Sequence, residues 1–205
     1  MQELTTDFRE RFASVKLPMP DAEVYLLPHF TPQEKQIPLQ QALEENVAWR
    51  QEKIRLFGKQ IDQPRLTAWY ADAGKAYTYS GLTWEPLPWL PELAALKTQL
   101  ETLTGAAFNS VLLNLYRHGQ DSMGWHADDE PELGQNPVIA SLSLGQERTF
   151  SFRHRFKKDL KNQLILPSGS LLLMAGPTQH FWHHQIPKTT RPLQPRINLT
   201  FRFIE

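Results

Sequence analysis

His126 and Asp128 are the first residues of this 205-residue chain whose types and spacing indicate chemistry. On an extended backbone, residues two apart project from the same face, so an imidazole and a carboxylate would point toward one place. Two histidines and a carboxylate on one face of a metal, with open positions opposite, form the facial triad of non-haem Fe(II) oxygenases. His180, His183 and His184 are candidates for the third ligand. A lone His-x-Asp is more often a surface loop, so the rest of the chain must decide.

A second set of polar residues alternates with apolar ones over 196–203. The polar residues are Arg196, Asn198, Thr200 and Arg202. At period two they share one strand face, and the apolar residues share the other, which would be core. A guanidinium binds a carboxylate through a planar fork, so the polar face is either a clamp for a dicarboxylate or the solvated face of an edge strand. Asn114 and Tyr116, also two apart, are further donors for the same ligand.

Composition narrows the class of protein. The chain has no cysteine, which excludes disulfides, thiolate metal ligands and cysteine nucleophiles and leaves histidine and carboxylates to hold a metal. Its formal net charge is zero, so nucleic-acid binding would need local basic patches. The charged N-terminus lacks the apolar region of a signal peptide, and no apolar run reaches membrane-spanning length. We expect a soluble cytoplasmic monomer with no membrane partner.

Helices and short extended segments are predicted in the first half of the chain. Residues 1–23 are poorly patterned and are interpreted as an N-terminal arm or loosely docked extension. A helix is expected from about Leu39, because Pro38 limits the part before it, with Thr31 as N-cap of a first turn. A leucine stripe and the following Gly105 predict a helix over 92–104. Extended segments are predicted at 53–59, 65–71 and 77–81.

From Asn109 onward the pattern becomes that of successive strands. The predicted strands are 111–118, 138–144, 149–154, 163–166, 170–175 and 196–203. Many short strands separated by turns favour a sandwich, barrel or jelly roll, with the earlier helices against one face. We therefore expect one mostly β domain with flanking helices over 24–205, in which 24–107 holds the helices and 108–205 the sheet core.

Together these motifs resemble the AlkB family of Fe(II)- and 2-oxoglutarate-dependent dioxygenases. The resemblance covers about residues 54–203 and rests on His126-x-Asp128, a histidine three residues before Pro187, and the alternating set that follows Pro195. It implies a double-stranded β-helix, or jelly roll, with N-terminal helices and a nucleotide-recognition hairpin region. It also implies His126, Asp128 and His184 as iron ligands. The implied 2-oxoglutarate contacts are Asn114, Tyr116, Arg196, Asn198, Thr200 and Arg202.

The activity that the resemblance implies is oxidative demethylation of N1-methyladenine and N3-methylcytosine in DNA, a direct-reversal repair. Fe(II), the cosubstrate 2-oxoglutarate and O2 would be required, and succinate, CO2 and formaldehyde would be released. The expected partner is alkylated DNA, both single- and double-stranded. Alkylated RNA is an alternative, because no residue of the sequence is seen to read a ribose 2′-hydroxyl. A zinc hydrolase with the same three ligands is an alternative from another class, but it gives Arg196 and Arg202 no role. A catalytically silent nucleic-acid-binding module is a third, which the intact ligand set disfavours.

The resemblance extends to residues that would contact the damaged base. Phe57-Gly58 matches a hairpin that inserts an aromatic wedge into the stack, and the alternative is a phenylalanine buried under its own turn. Tyr77, Tyr79 and Ser80 match the segment that grips the flipped base. Asp129, followed by Glu130, matches a residue near the exocyclic amine, and could otherwise cap a loop. Two groups of basic residues are candidates for binding phosphate, and the alternative is that they are only solvated faces. The first group is Arg50, Lys53, Arg55, Lys59 and Arg65, and the second is Arg148, Arg153, Arg155, Lys157, Lys158 and Lys161.

Overall fold

The structure is a computed structural model that describes the backbone of residues 3–56, 59–75, 77–79 and 82–205 and the side chains of residues 3–53, 60–75 and 85–205. In chain order its elements are α1 (Thr6–Arg11), β1 (Glu23–Leu27), α2 (Gln33–Asn46), β2 (Lys53–Leu56), β3 (Lys59–Asp62), β4 (Leu66–Ala71), β5 (Tyr77–Tyr79), β6 (Leu82–Trp84), α3 (Pro91–Thr104), β7 (Ser110–Tyr116), β8 (Met123–His126), β9 (Ile139–Gly145), β10 (Arg148–His154), β11 (Lys161–Leu166), β12 (Leu171–Ala175), α4 (Thr178–Phe181), β13 (Trp182–Ile186) and β14 (Arg196–Arg202).

Two antiparallel sheets form the centre of the fold. The larger has the strand order β1-β12-β9-β14-β7-β4 and the smaller the order β11-β10-β13-β8, while β2-β3 and β5-β6 are separate hairpins. One apolar cluster, with Leu112 and Ile139 from the large sheet and Phe152 and Trp182 from the small one, joins the two sheets. The predicted mostly β architecture is therefore confirmed, and the polar face of β14 lies in a two-sheet sandwich.

The helices cover the other face of the large sheet. Leu43 of α2 and Leu93 and Leu100 of α3 pack with Leu199 and Phe201 of β14 in a second apolar cluster. Three layers result, and β14 contributes apolar side chains to the layer of helices and polar ones to the space between the sheets. The predicted helix over 92–104 is confirmed within one residue.

Helix α2 begins earlier than the sequence predicted. It runs from Gln33 through Pro38 without a break, and Pro32 rather than Thr31 precedes it as the capping residue. An internal proline removes one backbone hydrogen bond and usually costs about 3 kcal/mol. Packing of Leu43, which is fully buried, is among the contacts that offset this cost. The expected start near Leu39 was wrong because tertiary contacts override a local preference.

The N-terminal arm is anchored rather than loosely docked over the residues that the structure describes. Leu4 and Phe8 are buried in the helix-side cluster. The backbone oxygen of Pro20 accepts a hydrogen bond from Trp182 Nε1 at 2.9 Å, and Asp21 binds His154 and Lys157. The arm thus reaches the small sheet, and the interpretation of a loose extension was wrong.

Strand β14 is central and not at an edge. It pairs with β9 on one side and β7 on the other, and all seven of its residues are buried. The alternative of a solvated edge face is excluded. Within the described residues, no helix is long and apolar enough to span a membrane.

Candidate metal centre and cosubstrate cavity

Three predicted ligands converge between the sheets. His126 ends β8 and lies directly opposite His184 on β13, and Asp128 follows two residues after His126. One ligand atom from each of His126, Asp128 and His184 lies within 4.8 Å of the other two. His183 alternates to the outer face of β13, and the exposed His180 contacts Asn136 Oδ1 at 3.0 Å. Of the three candidate histidines, only His184 reaches the other two ligands.

Both imidazoles are in the neutral form that a metal requires. His126 Nδ1 lies 2.9 Å from the carbonyl oxygen of Gly124, and a carbonyl can only accept, so Nδ1 carries the proton and Nε2 presents its lone pair. Burial lowers the pKa of His126. Burial, and next the neighbouring His126, lower the pKa of His184 to about 3. The ring of Phe150 stacks on His184 at 5.2 Å and shields it from water.

Asp128 is ionised although it is buried. Burial raises the pKa of Asp128, but the positive charge of Arg202 and its hydrogen bond to the carboxylate lower it, and the net shift is downward. Arg202 Nη2 donates to Asp128 Oδ1 at 2.5 Å, which leaves Oδ2 at 3.8 Å from His184 Nε2. One carboxylate oxygen therefore pairs with the guanidinium and the other faces the histidine.

Gln179 is a positioning residue that sequence reasoning missed. It is 1% exposed, and its Oε1 accepts a hydrogen bond from the backbone N–H of Asp128 at 3.0 Å. Gln179 lies in α4, the short helix just before β13, so one side chain ties the Asp128 loop to the segment that carries His184. No motif marked it, and its only signal was its position five residues before a predicted ligand.

Arg196 is fully buried beside the cavity. Its Nη2 donates to Ser143 Oγ at 2.9 Å and to Asn198 Oδ1 at 3.0 Å, and its guanidinium lies 5.2 Å from the ring centre of Tyr116. Burial lowers the pKa of Arg196 to about 10, so the group is still charged near neutral pH. Among the described residues, Arg196 Nε and Nη1 have no hydrogen-bond partner. Buried charged donors of this kind require an anion, and a carboxylate fits them.

A cavity lies beside the three candidate ligands. Its polar lining includes Asn114, Tyr116, Asn198, Thr200 and Arg202, together with the three candidate ligands. Arg196 does not line it but contacts two residues that do, Tyr116 and Asn198. A metal ligand set and the donors for a dicarboxylate therefore share one cavity, as Fe(II) and 2-oxoglutarate require.

Two arginines that were assigned to basic patches are internal. Arg65 is 5% exposed, and its Nε donates to Asn114 Oδ1 at 2.8 Å. Arg148 is 4% exposed and donates to the carbonyl oxygens of Asp121 and Pro187 at 2.9 and 2.8 Å. Neither faces solvent, so their assignment to phosphate-binding patches was wrong. Arg65 instead orients an amide of the cavity wall.

The predicted substrate contacts are only partly described. Asp129 is exposed, and its Oδ2 accepts a hydrogen bond from Arg155 Nη1 at 2.9 Å. Tyr77 and Tyr79 lie on β5, which pairs with β6, but their side chains lie outside the described residues. Phe57, Gly58 and Ser80 also lie outside the described residues. Glu130, next to Asp129, is half-buried.

Comparison with known proteins agrees with this geometry. The profile of the 2OG-Fe(II) oxygenase superfamily matches residues 23–202. The chain belongs to this superfamily. The structure of OsALKBH1 superposes with a TM-score of 0.58 at 18% identity, over 88% of this chain and 96% of that one, which confirms the jelly-roll fold.

Curated relatives confirm the AlkB resemblance within this oxygenase superfamily. The human alpha-ketoglutarate-dependent dioxygenase alkB homolog 3 is 42% identical over 192 residues, which are 89% of this chain and 66% of that protein. The mouse DNA oxidative demethylase ALKBH2 is 45% identical over 159 residues, which are 74% of this chain and 66% of that protein. The matched region thus spans just under two thirds of these relatives' own length.

Proposed function

We propose that this protein is an Fe(II)- and 2-oxoglutarate-dependent dioxygenase that demethylates N1-methyladenine and N3-methylcytosine in DNA. The observation that carries the proposal is the shared cavity, which the His126, Asp128 and His184 cluster lines together with Asn198, and Asn198 in turn binds the buried Arg196. We further propose residues 24–205 as one dioxygenase domain, with nucleotide recognition in 24–107 and the catalytic core in 108–205.

The chain's own residues would hold the reactants and exclude water. His126 and His184 supply neutral nitrogen ligands, and Asp128 supplies a carboxylate oxygen. When bound, Fe(II), 2-oxoglutarate and O2 supply the oxidation that converts an N-methyl group into formaldehyde. Arg196 would bind the distal carboxylate of 2-oxoglutarate, with Asn198 and Thr200 completing the polar wall. Phe150, which stacks on His184, would help to exclude water from the metal ligands.

At the substrate end, Asp129 would accept a hydrogen bond from the exocyclic amine of the flipped base. The proposal draws on its position next to Asp128 and on the exposure of its carboxylate. Tyr77, Tyr79 and Ser80 would grip the base, and Phe57-Gly58 would fill the gap in the duplex. The roles of Phe57, Gly58, Tyr77, Tyr79 and Ser80 are all assigned from the sequence resemblance.

A zinc hydrolase remains the rival from another class. It would use the same three ligands around an activated water. The observation against it is Arg196, because a hydrolase would have no use for a fully buried cation whose Nε and Nη1 lack partners among the described residues. Burying such a group without a bound anion would destabilise the protein with no compensating interaction.

The experiment is formaldehyde and succinate release from oligonucleotides that carry 1-methyladenine or 3-methylcytosine. Single-stranded DNA, duplex DNA and RNA of one sequence are compared, with Fe(II), 2-oxoglutarate and O2 omitted in turn. We expect equal amounts of the two products and a need for all three reactants. Turnover that persists without O2 and 2-oxoglutarate would support the hydrolase. Faster turnover of RNA than of both DNA forms would reassign the substrate.

A further inference from the structure

The loop between β10 and β11 presents an exposed aromatic side chain. Phe156 is 71% exposed, which is the highest value among the large exposed apolar residues in the part of the chain whose side chains are described. Its ring meets its nearest aromatic neighbours, His154 and Phe181, at 6.1 Å each and nearly edge-on. Most of the ring surface therefore faces solvent.

The loop is held in place from inside. His154 is 4% exposed, and its Nδ1 accepts the backbone N–H groups of Phe156 and Lys157 at 3.1 and 3.0 Å. Because Nδ1 accepts, the proton is on Nε2, which donates to Asp21 Oδ2 at 3.2 Å. The Arg155 backbone N–H donates to the carbonyl oxygen of Phe181 at 2.7 Å. Presenting Phe156 therefore needs little ordering when a ligand binds.

The loop contacts Asp129, which the proposed function assigns to the flipped base. Arg155, the neighbour of Phe156, donates through Nη1 to Asp129 Oδ2 at 2.9 Å and to the carbonyl oxygen of Gln179 at 3.3 Å. Asp129 follows Asp128 in the chain, so one side chain links this loop to the residue assigned to the flipped base. A strand whose base enters the cavity past Asp129 would continue toward Phe156.

The charge around Phe156 suits a phosphate backbone. Asp159 is the only acid in residues 153–161, and the cations there are Arg153, Arg155, Lys157, Lys158 and Lys161. Asp21 and Asp129 each neutralise one of them, Lys157 and Arg155. An exposed ring among cations is the combination with which proteins bind single-stranded nucleic acid, since bases stack on the ring and phosphates follow the cations.

We propose that Phe156 is a stacking platform for a nucleotide that flanks the flipped one in the same strand. The inference rests on the proposed function for its biological substrate. It adds a contact from a part of the sequence other than Phe57 and Tyr77–Tyr79. The ring faces solvent and would serve single and double strands alike wherever the flanking base is unstacked.

The test is binding of an unmethylated, fluorescein-labelled 12-nucleotide single strand, followed by anisotropy at fixed salt. We expect Phe156→Ala to weaken binding about tenfold, which corresponds to about 1.4 kcal/mol. Phe156→Trp should bind as tightly as the natural protein or more tightly, whereas Phe156→Leu should lose affinity like the alanine variant. Ile37→Ala is the matched control, because Ile37 is 67% exposed on α2, and it should leave affinity unchanged.

Affinity of Phe156→Ala within twofold of the natural protein would overturn the proposal, and so would full affinity of Phe156→Leu. Photocrosslinking of a 5-iodouracil-substituted strand gives a second measurement, in which Phe156 should be the labelled residue. Binding that depends on Phe156 without demethylation would leave this platform standing and remove the enzymatic proposal. Demethylation together with binding that does not depend on Phe156 would support the enzymatic proposal and overturn the stacking platform.

Discussion

Asp128 has two roles that a simple truncation would confuse. It is a proposed metal ligand, and it is also the counter-ion of Arg202, with both groups buried. Removing one partner of a buried ion pair typically costs about 3–5 kcal/mol, because the other charge is left without compensation. Loss of activity in an alanine variant therefore needs a stability measurement beside it. An asparagine keeps the shape and one acceptor oxygen, so it removes the charge with less disturbance.

We expect both Asp128→Ala and Asp128→Asn to abolish succinate and formaldehyde release while DNA binding is largely retained. The alanine variant should also melt roughly 10 °C lower, since a few kcal/mol corresponds to that shift in a protein of this size. Product release is measured by mass spectrometry and melting by circular dichroism. Normal turnover in the asparagine variant would show that the metal ligand is misassigned.

Arg196 offers a test of the cosubstrate. Arg196→Lys keeps the charge but loses the planar fork and the Nη2 bonds to Ser143 and Asn198. A charge-assisted hydrogen bond contributes about 1.5–3 kcal/mol, so the KM for 2-oxoglutarate should rise roughly tenfold or more with a smaller change in kcat. Succinate formation is measured against 2-oxoglutarate concentration. The control is Arg11→Lys, on the exposed side of α1, and an unchanged KM in the Arg196 variant would contradict the assignment.

The histidines of the site predict how the metal-free protein responds to acid. The pKa of His184 is about 3 in the folded protein, and its ordinary value is 6.5. As pH falls through 6.5 the unfolded chain takes up a proton that the folded protein cannot, so stability is complete above that pH and is lost between about 6.5 and 3. The urea midpoint should be lower at pH 5.5 than at pH 7.5, and the drop should be smaller in His184→Asn. Equal drops in the two proteins would show that another group causes the loss.

At the scale of elements, alternation along β14 predicted the polar residues that face the cavity. The structure agrees for Asn198, Thr200 and Arg202, whereas Arg196 contacts Asn198 and does not line the cavity. A period of two needs only the local backbone, so Asn114, Tyr116 and the polar face of β14 could be found from sequence. Strands β8 and β13, which carry His126 and His184, are short and were not predicted as strands, although the ligands themselves were.

Contacts between distant segments could not be predicted in this way. Arg65 and Arg148 stand in basic stretches, yet their partners are carbonyl and amide groups more than 25 residues away in the chain. The same holds for the arm, where Asp21 meets His154, and for α2, which continues through Pro38. A local sequence pattern contains only the types of neighbouring residues, whereas the burial and the partners of these residues depend on which distant segment packs against them.

Gln179 shows how such a distant contact would affect chemistry. Its side chain joins α4 to the backbone of Asp128, so Gln179→Ala should keep all three ligand residues but allow the backbone at Asp128 to move. Loss of an outer-sphere partner typically lowers metal affinity or activity by about 10- to 100-fold. Fe(II) affinity is measured by titration under anaerobic conditions. Gln163→Ala, on the exposed face of β11, is the control, and equal affinity in the two variants would mean that Gln179 only fills space.

At the scale of the whole molecule, the chemistry lies between two sheets and the substrate must come to it. Nucleotide contacts are assigned to two places, the β2–β3 hairpin with the β5–β6 hairpin, and the β10–β11 loop beside Asp129. Residues from both places would contact the strand that carries the flipped base. Because the net charge of the chain is zero, binding of the phosphate backbone would depend on local groups of cations. The two places should differ in their dependence on the form of DNA, since flipping a base leaves a gap in the stack only in a duplex.

Phe57→Ala should therefore slow repair of double-stranded DNA more than repair of single-stranded DNA of the same sequence. The assignment of Phe57 as a wedge comes from sequence resemblance, and its physical reason is that an apolar side chain offsets the unstacking that base flipping causes. We expect at least a tenfold loss on duplex and little on single strands, on the order of the few kcal/mol that one unstacked step costs. The measurement is formaldehyde release from both forms. Ile61→Ala is the matched control, because Ile61 is 40% exposed on β3 of the same hairpin and should not distinguish the two forms. Equal losses on both forms would instead make Phe57 a residue that stabilises its own hairpin.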